Sequence, residues 1–268
     1  MDAPILVTGA HRSGTTWVGR MLCAGGDAFY IHEPFNAGTV GPAWQEQVPY
    51  WYFYLNPENE EEYERSLQRV IDIRYPTLDG FRKARNLRHF LRLGRDSVFA
   101  LNARFRHKRP LLKDPLALFS AEWIAERFNM QVIVMIRHPL AFASSLKRLD
   151  WQFDFAHWVQ QQELIDNLLS SFRDEINEYA SNRNRDVIDQ AILMWNAIYS
   201  AVHQYQRAHP GWLFVIHEQL AEVPLEGFEK LYRYCGLDWN RKAKNAVMAH
   251  SQEGNVKEVP LATQSDTA

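Results

Sequence analysis

Apolar residues along this chain gather into short unbroken runs, each followed by a polar loop or by a stretch with helical spacing. Residues 5–8, 29–31, 131–136 and 212–216 read as strands, with 110–112 a weaker fifth. Their continuous apolar character, without polar alternation, points to strands buried on both faces. Helical spacing is clearest over 187–205, where Val187, Ala191, Trp195, Ile198 and Val202 share one broad face. Further helices are predicted over 15–24, 116–128, 140–149, 155–179 and 224–235. Strands alternating with helices make right-handed βαβ units. The expected fold is therefore α/β: three αβα layers around a central, mainly parallel sheet, with ligands at the carboxyl ends of the strands.

Residues 38–109 break this rhythm. Aromatic residues (Trp44 and Tyr50 to Tyr54) lead into an acidic run from Glu58 to Glu64. From Arg82 to Arg109 the chain then carries ten cations against Asp96 alone. This segment reads as a helical insertion or lid covering the substrate, within a single domain of residues 1–268. Its cations could draw in an anionic or sugar-rich acceptor, or form solvated helix faces.

Composition narrows the setting. With 268 residues, 46% of them hydrophobic, the chain can bury a substantial core. A net charge of −2 argues against a nucleic-acid partner. Only two cysteines are present, which fits a reducing compartment. Neither a secretory signal nor an apolar stretch near the ~18 residues of a membrane span is evident. A cytoplasmic enzyme is the expectation.

The candidate chemistry begins at the first strand. Gly9 and Gly14 bound a loop that leads into a helix, in the spacing of a P-loop, but Thr15 stands where the P-loop lysine belongs. Arg12 supplies the cation instead. Helix N–H groups, the hydroxyls of Ser13, Thr15 and Thr16, and the fork of Arg12 together suit a phosphate-like anion. A second strand-loop-helix unit places Arg137 at a strand end, Pro139 at a helix start and Ser145 eight residues beyond the arginine.

The pair Arg12-Ser-Gly-Thr-Thr-Trp17 and Arg137 with Ser145 resembles the sulfotransferases that use 3′-phosphoadenosine 5′-phosphosulfate (PAPS), in the style of the carbohydrate and protein-tyrosine branches. The resemblance implies a P-loop-NTPase-like fold and PAPS as donor. Arg12, Ser13, Gly14, Thr15 and Thr16 would hold the 5′-phosphosulfate, and Arg137 with Ser145 the 3′-phosphate. Trp17 would lie against adenine, or else simply pack in the core. Ile31-His-Glu-Pro-Phe-Asn36 resembles the segment carrying the proposed base, here Glu33, with His32 in reserve. Leu112-Lys-Asp-Pro-Leu116 resembles the segment whose lysine, here Lys113, reaches the transferring group. Phe214 to Leu220 resembles a segment usually reading Tyr-Glu-Asp-Leu, with His217 and Gln219 replacing its Tyr and Asp.

Sulfuryl transfer implies in-line displacement, with Arg12 and Lys113 stabilising developing charge and Glu33 taking the acceptor's proton. Burial beside an anionic donor would raise the Glu33 pKa toward neutrality. Asp114 is expected to ion-pair or to cap the following helix rather than react, and His11 and His138 flank the two anion loops, either as part of them or as solvated loop residues. No metal site is expected, since no ligand cluster has suitable spacing. The implied acceptor is a hydroxyl on a carbohydrate, glycolipid or related natural product. The competing readings are a small-metabolite kinase and a non-catalytic polyanion-binding protein.

Overall fold

The computed structural model describes residues 2–37, 48–74, 87–182 and 185–252, and for residues 87–93 and 252 the backbone alone. In chain order the elements are β1 (Ile5–Gly9), α1 (Thr15–Ala24), β2 (Ala28–His32), α2 (Glu60–Ile71), α3 (Leu87–Phe105) and β3 (Arg109–Lys113). A 3-10 turn (Pro115–Ser120), α4 (Ala121–Phe128), β4 (Gln131–Ile136) and α5 (Pro139–Arg148) follow. Then come α6 (Ala156–Val159), α7 (Gln162–Asn167), α8 (Arg173–Ser181) and α9 (Val187–Ala208). The chain continues through β5 (Leu213–Ile216), α10 (His217–Glu222), α11 (Pro224–Cys235) and α12 (Arg241–Gln252).

All five predicted strands form, and they pair in parallel in the order β2-β3-β1-β4-β5. Successive residues on the inner strands enter opposite cores, as the two-residue side-chain period requires. Leu6, Val132 and Val134 join the core beneath α5 and α9, whereas Ile5, Val7, Ile133 and Met135 join the one beneath α1, α11 and α12. Both faces are thus covered, which explains the unbroken apolar runs in the sequence. The chain leaves β1 toward β2 and later crosses to β4, so β1 marks the switch point where such sheets open a crevice at their carboxyl edge.

Two predicted helices break up. The 116–128 segment starts as the 3-10 turn, and 155–179 divides into α6, α7, a short 3-10 turn and α8. Helices α2, α3, α10 and α12 were not predicted. Part of the basic segment is structural: the Arg109 guanidinium donates to the carbonyls of Ala3 and Cys235 and to the Gln131 side chain. The acidic run is partnered by the helix after β3, through Glu60 with Trp123 and Glu64 with Arg127. Trp44, Arg82, Lys83 and Arg85 lie outside the described residues.

Candidate active site

The loop after β1 is shaped by backbone conformations that few side chains tolerate. Gly9 and Gly14 have φ of 144° and 89°; a Cβ on Gly9 would strike the Met135 carbonyl, and one on Gly14 the His217 ring. Arg12 itself adopts a left-handed φ of 64°. Ser13 folds back onto Ala10, its N–H donating to that carbonyl at 3.2 Å and its hydroxyl donating to the same oxygen. Helix α1 starts on Gly14 without a capping side chain and without acidic residues in its first turn. Its first turn thus lacks both a capping side chain and a nearby carboxylate, which leaves the positive end of the helix suited to an anion.

The two distant motifs meet here. Arg12 Nε donates to Ser145 Oγ at 3.1 Å, and Arg137 Nη1 donates to the Arg12 carbonyl at 3.0 Å. Arg137 is held at the strand end by its own backbone: its N–H donates to Tyr199 Oη at 2.8 Å, and its carbonyl accepts from Trp195 Nε1 at 2.9 Å. The Arg137 guanidinium also ion-pairs with Glu218 at 3.3 Å, and Glu218 accepts the His138 N–H at 3.2 Å. Thr15 and Ser145 are buried, whereas Thr16 is exposed. Trp17 is half-buried, edge-on to Phe228 and His217 at 5.0 and 5.7 Å.

At the other side of β1, the ends of β2 and β3 bring Glu33 to Lys113. The Lys113 ammonium, with no exposed side-chain surface, donates to Glu33 Oε1. Glu33 has a left-handed φ of 38°, and its other oxygen accepts from Asn36 Nδ2 at 3.3 Å. Burial by itself would raise the Glu33 pKa, but the Lys113 charge, His32 and the two hydrogen bonds outweigh it and leave the pKa lowered. The expected rise toward neutrality is therefore corrected: a buried lysine reaches the carboxylate first. His32 is displaced the same way, lowered by burial and then by Lys113. Its ring lies 3.9 Å from Glu33 and is 55% exposed.

The carboxylate pushed upward is Asp114. Fully buried and close to the Glu33 charge, it is raised to about 7. It caps the 3-10 turn as expected, accepting the Leu116 N–H at 2.9 Å, and it also accepts the Phe35 N–H at 2.6 Å. His138 likewise caps α5. Of the two readings of His11, the solvated one fails: the residue is 5% exposed and locked against Tyr52. Burial, with Arg12 adjacent, lowers its pKa to about 3.

Three buried polar atoms at this edge have no hydrogen-bond partner: Thr8 Oγ1 near the end of β1, and His217 Nδ1 with Glu218 Oε2 just past β5. Buried polar groups are rarely left so, and unpaired ones converging on a crevice mark a place for a polar ligand. Hydroxyls, the α1 N–H groups and two arginines gathered at this strand edge are the chemistry that would hold a phosphate-bearing nucleotide.

A profile of the sulfotransferase family matches residues 4–241. The chain belongs to the sulfotransferase family. No curated protein matches the sequence at a significant level. Among solved structures, the sulfotransferase resembles a sulfotransferase domain from the curacin biosynthetic pathway. The TM-score is 0.50 at 13% identity, over 95% of this chain and 79% of that one. The sulfotransferase domain of the Synechococcus PCC 7002 olefin synthase gives 0.44 at 16% identity, over 99% and 84% of the two chains. A sulfotransferase of Mycobacterium tuberculosis H37Rv gives 0.43 at 17%, over 93% and 72%. At these identities the first likeness shows a shared fold, and the two lower scores carry no argument.

Family membership makes the sulfotransferase an enzyme and displaces the kinase and polyanion-binding readings. Among the described residues, no helix is long and apolar enough to cross a membrane. Sequence reasoning missed Glu218 and Tyr52. The first lies inside the Phe214 to Leu220 segment, where its neighbours His217 and Gln219 carry the departures from the family pattern. The second carried no local signal, because its partner lies 41 residues away.

Proposed function

We propose that this sulfotransferase transfers the sulfuryl group of PAPS to a hydroxyl of a carbohydrate, glycolipid or related natural product, within a single domain whose 38–109 segment covers the acceptor. One observation carries this reading: the Arg12 loop and the Arg137/Ser145 unit are hydrogen-bonded to each other at one strand edge. A cleft with two cationic centres matches a nucleotide bearing phosphates at both its 5′ and 3′ ends.

In this reading Arg12, Ser13, Gly14, Thr15 and Thr16 hold the 5′-phosphosulfate, Arg137 and Ser145 select the 3′-phosphate, and Trp17 borders adenine. Glu218, now on the Arg137 fork, stands where a phosphate oxygen would sit and turns aside on binding. Lys113 moves from Glu33 to the sulfonate oxygens, freeing the ionised carboxylate to accept a proton. As the acceptor oxygen bonds to sulfur, the sulfur–oxygen bond to the nucleotide breaks. The hydroxyl proton passes to Glu33, and the electron pair leaves on the 5′-phosphate, where Arg12 and the α1 N–H groups stabilise it. Trp51, half-buried and edge-on to His11 at 6.5 Å, and the half-buried Tyr50 offer ring faces to a sugar.

Labelled sulfuryl transfer from PAPS to a panel of glycan and glycolipid acceptors tests the reading. Glu33→Gln is expected to bind 3′,5′-diphosphoadenosine like the parent while losing about 10²–10⁴ in turnover, the usual share of a general base. Full activity in Glu33→Gln would remove that residue from the mechanism.

A further inference from the structure

His11 belongs to the Arg12 loop, yet its ring points into the protein, boxed by Trp151 at 4.7 Å, Phe142 at 5.3 Å and Tyr52 at 5.9 Å. Two hydrogen bonds tie it to one phenol. The His11 backbone N–H donates to Tyr52 Oη at 2.9 Å, and that hydroxyl lies 2.7 Å from His11 Nδ1. The phenol oxygen thus accepts the amide proton, and its second bond joins it to Nδ1, the donor there being set by the imidazole tautomer.

Tyr52 is anchored at its far end as firmly as at its hydroxyl. It has no exposed surface, and its ring packs on Phe119 and Trp158 at 5.4 and 6.1 Å. Its carbonyl accepts from Gln161 Nε2 at 3.3 Å, while Gln161 Oε1 accepts the Tyr54 N–H at 2.8 Å. Tyr52 also has a left-handed φ of 58°, so Arg12, Glu33 and Tyr52, three of the seven non-glycine residues with positive φ among those described, share a conformation that such residues adopt only when their surroundings fix it. Arg12 follows His11 directly. Its left-handed turn is bound by Arg137 at the carbonyl and by Ser145 at the side chain; His11, pinned at amide and ring, fixes the entry to that turn.

We infer that Tyr52 is a positioning residue for the donor loop: its hydroxyl sets the His11–Arg12 backbone, and so makes donor affinity depend on the 48–55 segment docked on the acceptor side. This rests on the donor reading above, and it adds a mechanical link between the two halves of the cleft. No contact between Tyr52 and the donor is required.

The test is Tyr52→Phe in the full chain, which deletes one oxygen and keeps the ring. Leaving a buried N–H unpaired corresponds to about a tenfold effect. Calorimetric titration with 3′,5′-diphosphoadenosine is expected to show a dissociation constant about tenfold weaker at unchanged stoichiometry. Amide exchange is expected to quicken about tenfold over residues 11–16 while β4 stays protected. A purely structural role would lower the competent fraction, and hence the stoichiometry, without changing affinity. His11→Leu removes the Nδ1 partner from the other side and is expected to loosen the same amides, which keeps the question open to test should Tyr52→Phe fold poorly. Parent-like affinity and loop protection in these variants would overturn the inference. Should the parent itself ignore the diphosphate, the donor reading falls, and loop exchange still decides the role of Tyr52.

Discussion

Lys113 and Glu33 show how far one buried contact redirects a carboxylate. A carboxyl group withdrawn from water gains protons more readily, yet the ammonium against Glu33 keeps it ionised, and the protonation cost passes to its neighbour Asp114. This has a measurable sign. Asp114 is raised to about 7 from an ordinary 3.8, so between those values the native state binds a proton that the unfolded chain has released. Stability from this group is complete below about 4 and is lost as pH rises toward 7. His11 and His217, lowered to about 3 and about 4, act in the opposite direction. The clean measurement is therefore the difference in melting temperature between the parent and Asp114→Asn. The parent's relative advantage is expected to shrink steadily from pH 4 to pH 7, and a flat difference would mean that Asp114 does not titrate there.

At the scale of elements, the decisive unit is the turn from β1 into α1. Gly14 caps the helix with a left-handed backbone and lies against the His217 ring. Gly14→Ala is expected to cost about 1–2 kcal/mol from backbone handedness alone, and more from displacing His217. Diphosphate binding should be lost even where the fold survives; thermal melts paired with calorimetry separate the two effects. The strands and this turn were legible because their signals are local: unbroken apolar runs, and two glycines at P-loop spacing. The helix predicted over 155–179 failed because tertiary demands cut it. Gln161 leaves helical geometry while its side chain serves the backbones of Tyr52, Tyr54 and His157, and Phe155, Trp158, Leu164, Leu169 and Ile176 are all buried around the breaks. Helix α2 was hidden by its charge: Tyr63, Leu67, Val70 and Ile71 form a buried stripe within a segment read as an acidic run.

Over the whole molecule, the order β2-β3-β1-β4-β5 turns sequence distance into adjacency. Glu33, Lys113, Arg137 and His217 each stand at or just beyond a strand's carboxyl end, and parallel pairing brings all four to one edge. That much followed from recognising parallel strands and the motifs behind them. The Arg137–Glu218 ion pair and the Tyr52–His11 bonds did not, because they depend on how helices and loops settle over that edge.

The central claim is that this edge holds a nucleotide by both its 5′ and 3′ phosphates. Calorimetric titration with 3′,5′-diphosphoadenosine, adenosine 5′-monophosphate and Mg-ATP, on the parent and on Arg137→Ala, tests it most directly. The parent is expected to prefer the diphosphate over the monophosphate by tenfold or more, consistent with about 1.5–3 kcal/mol for a charge-assisted hydrogen bond, and Arg137→Ala to lose most of that preference. Equal affinity for the two nucleotides, or tighter binding of Mg-ATP, would contradict the account.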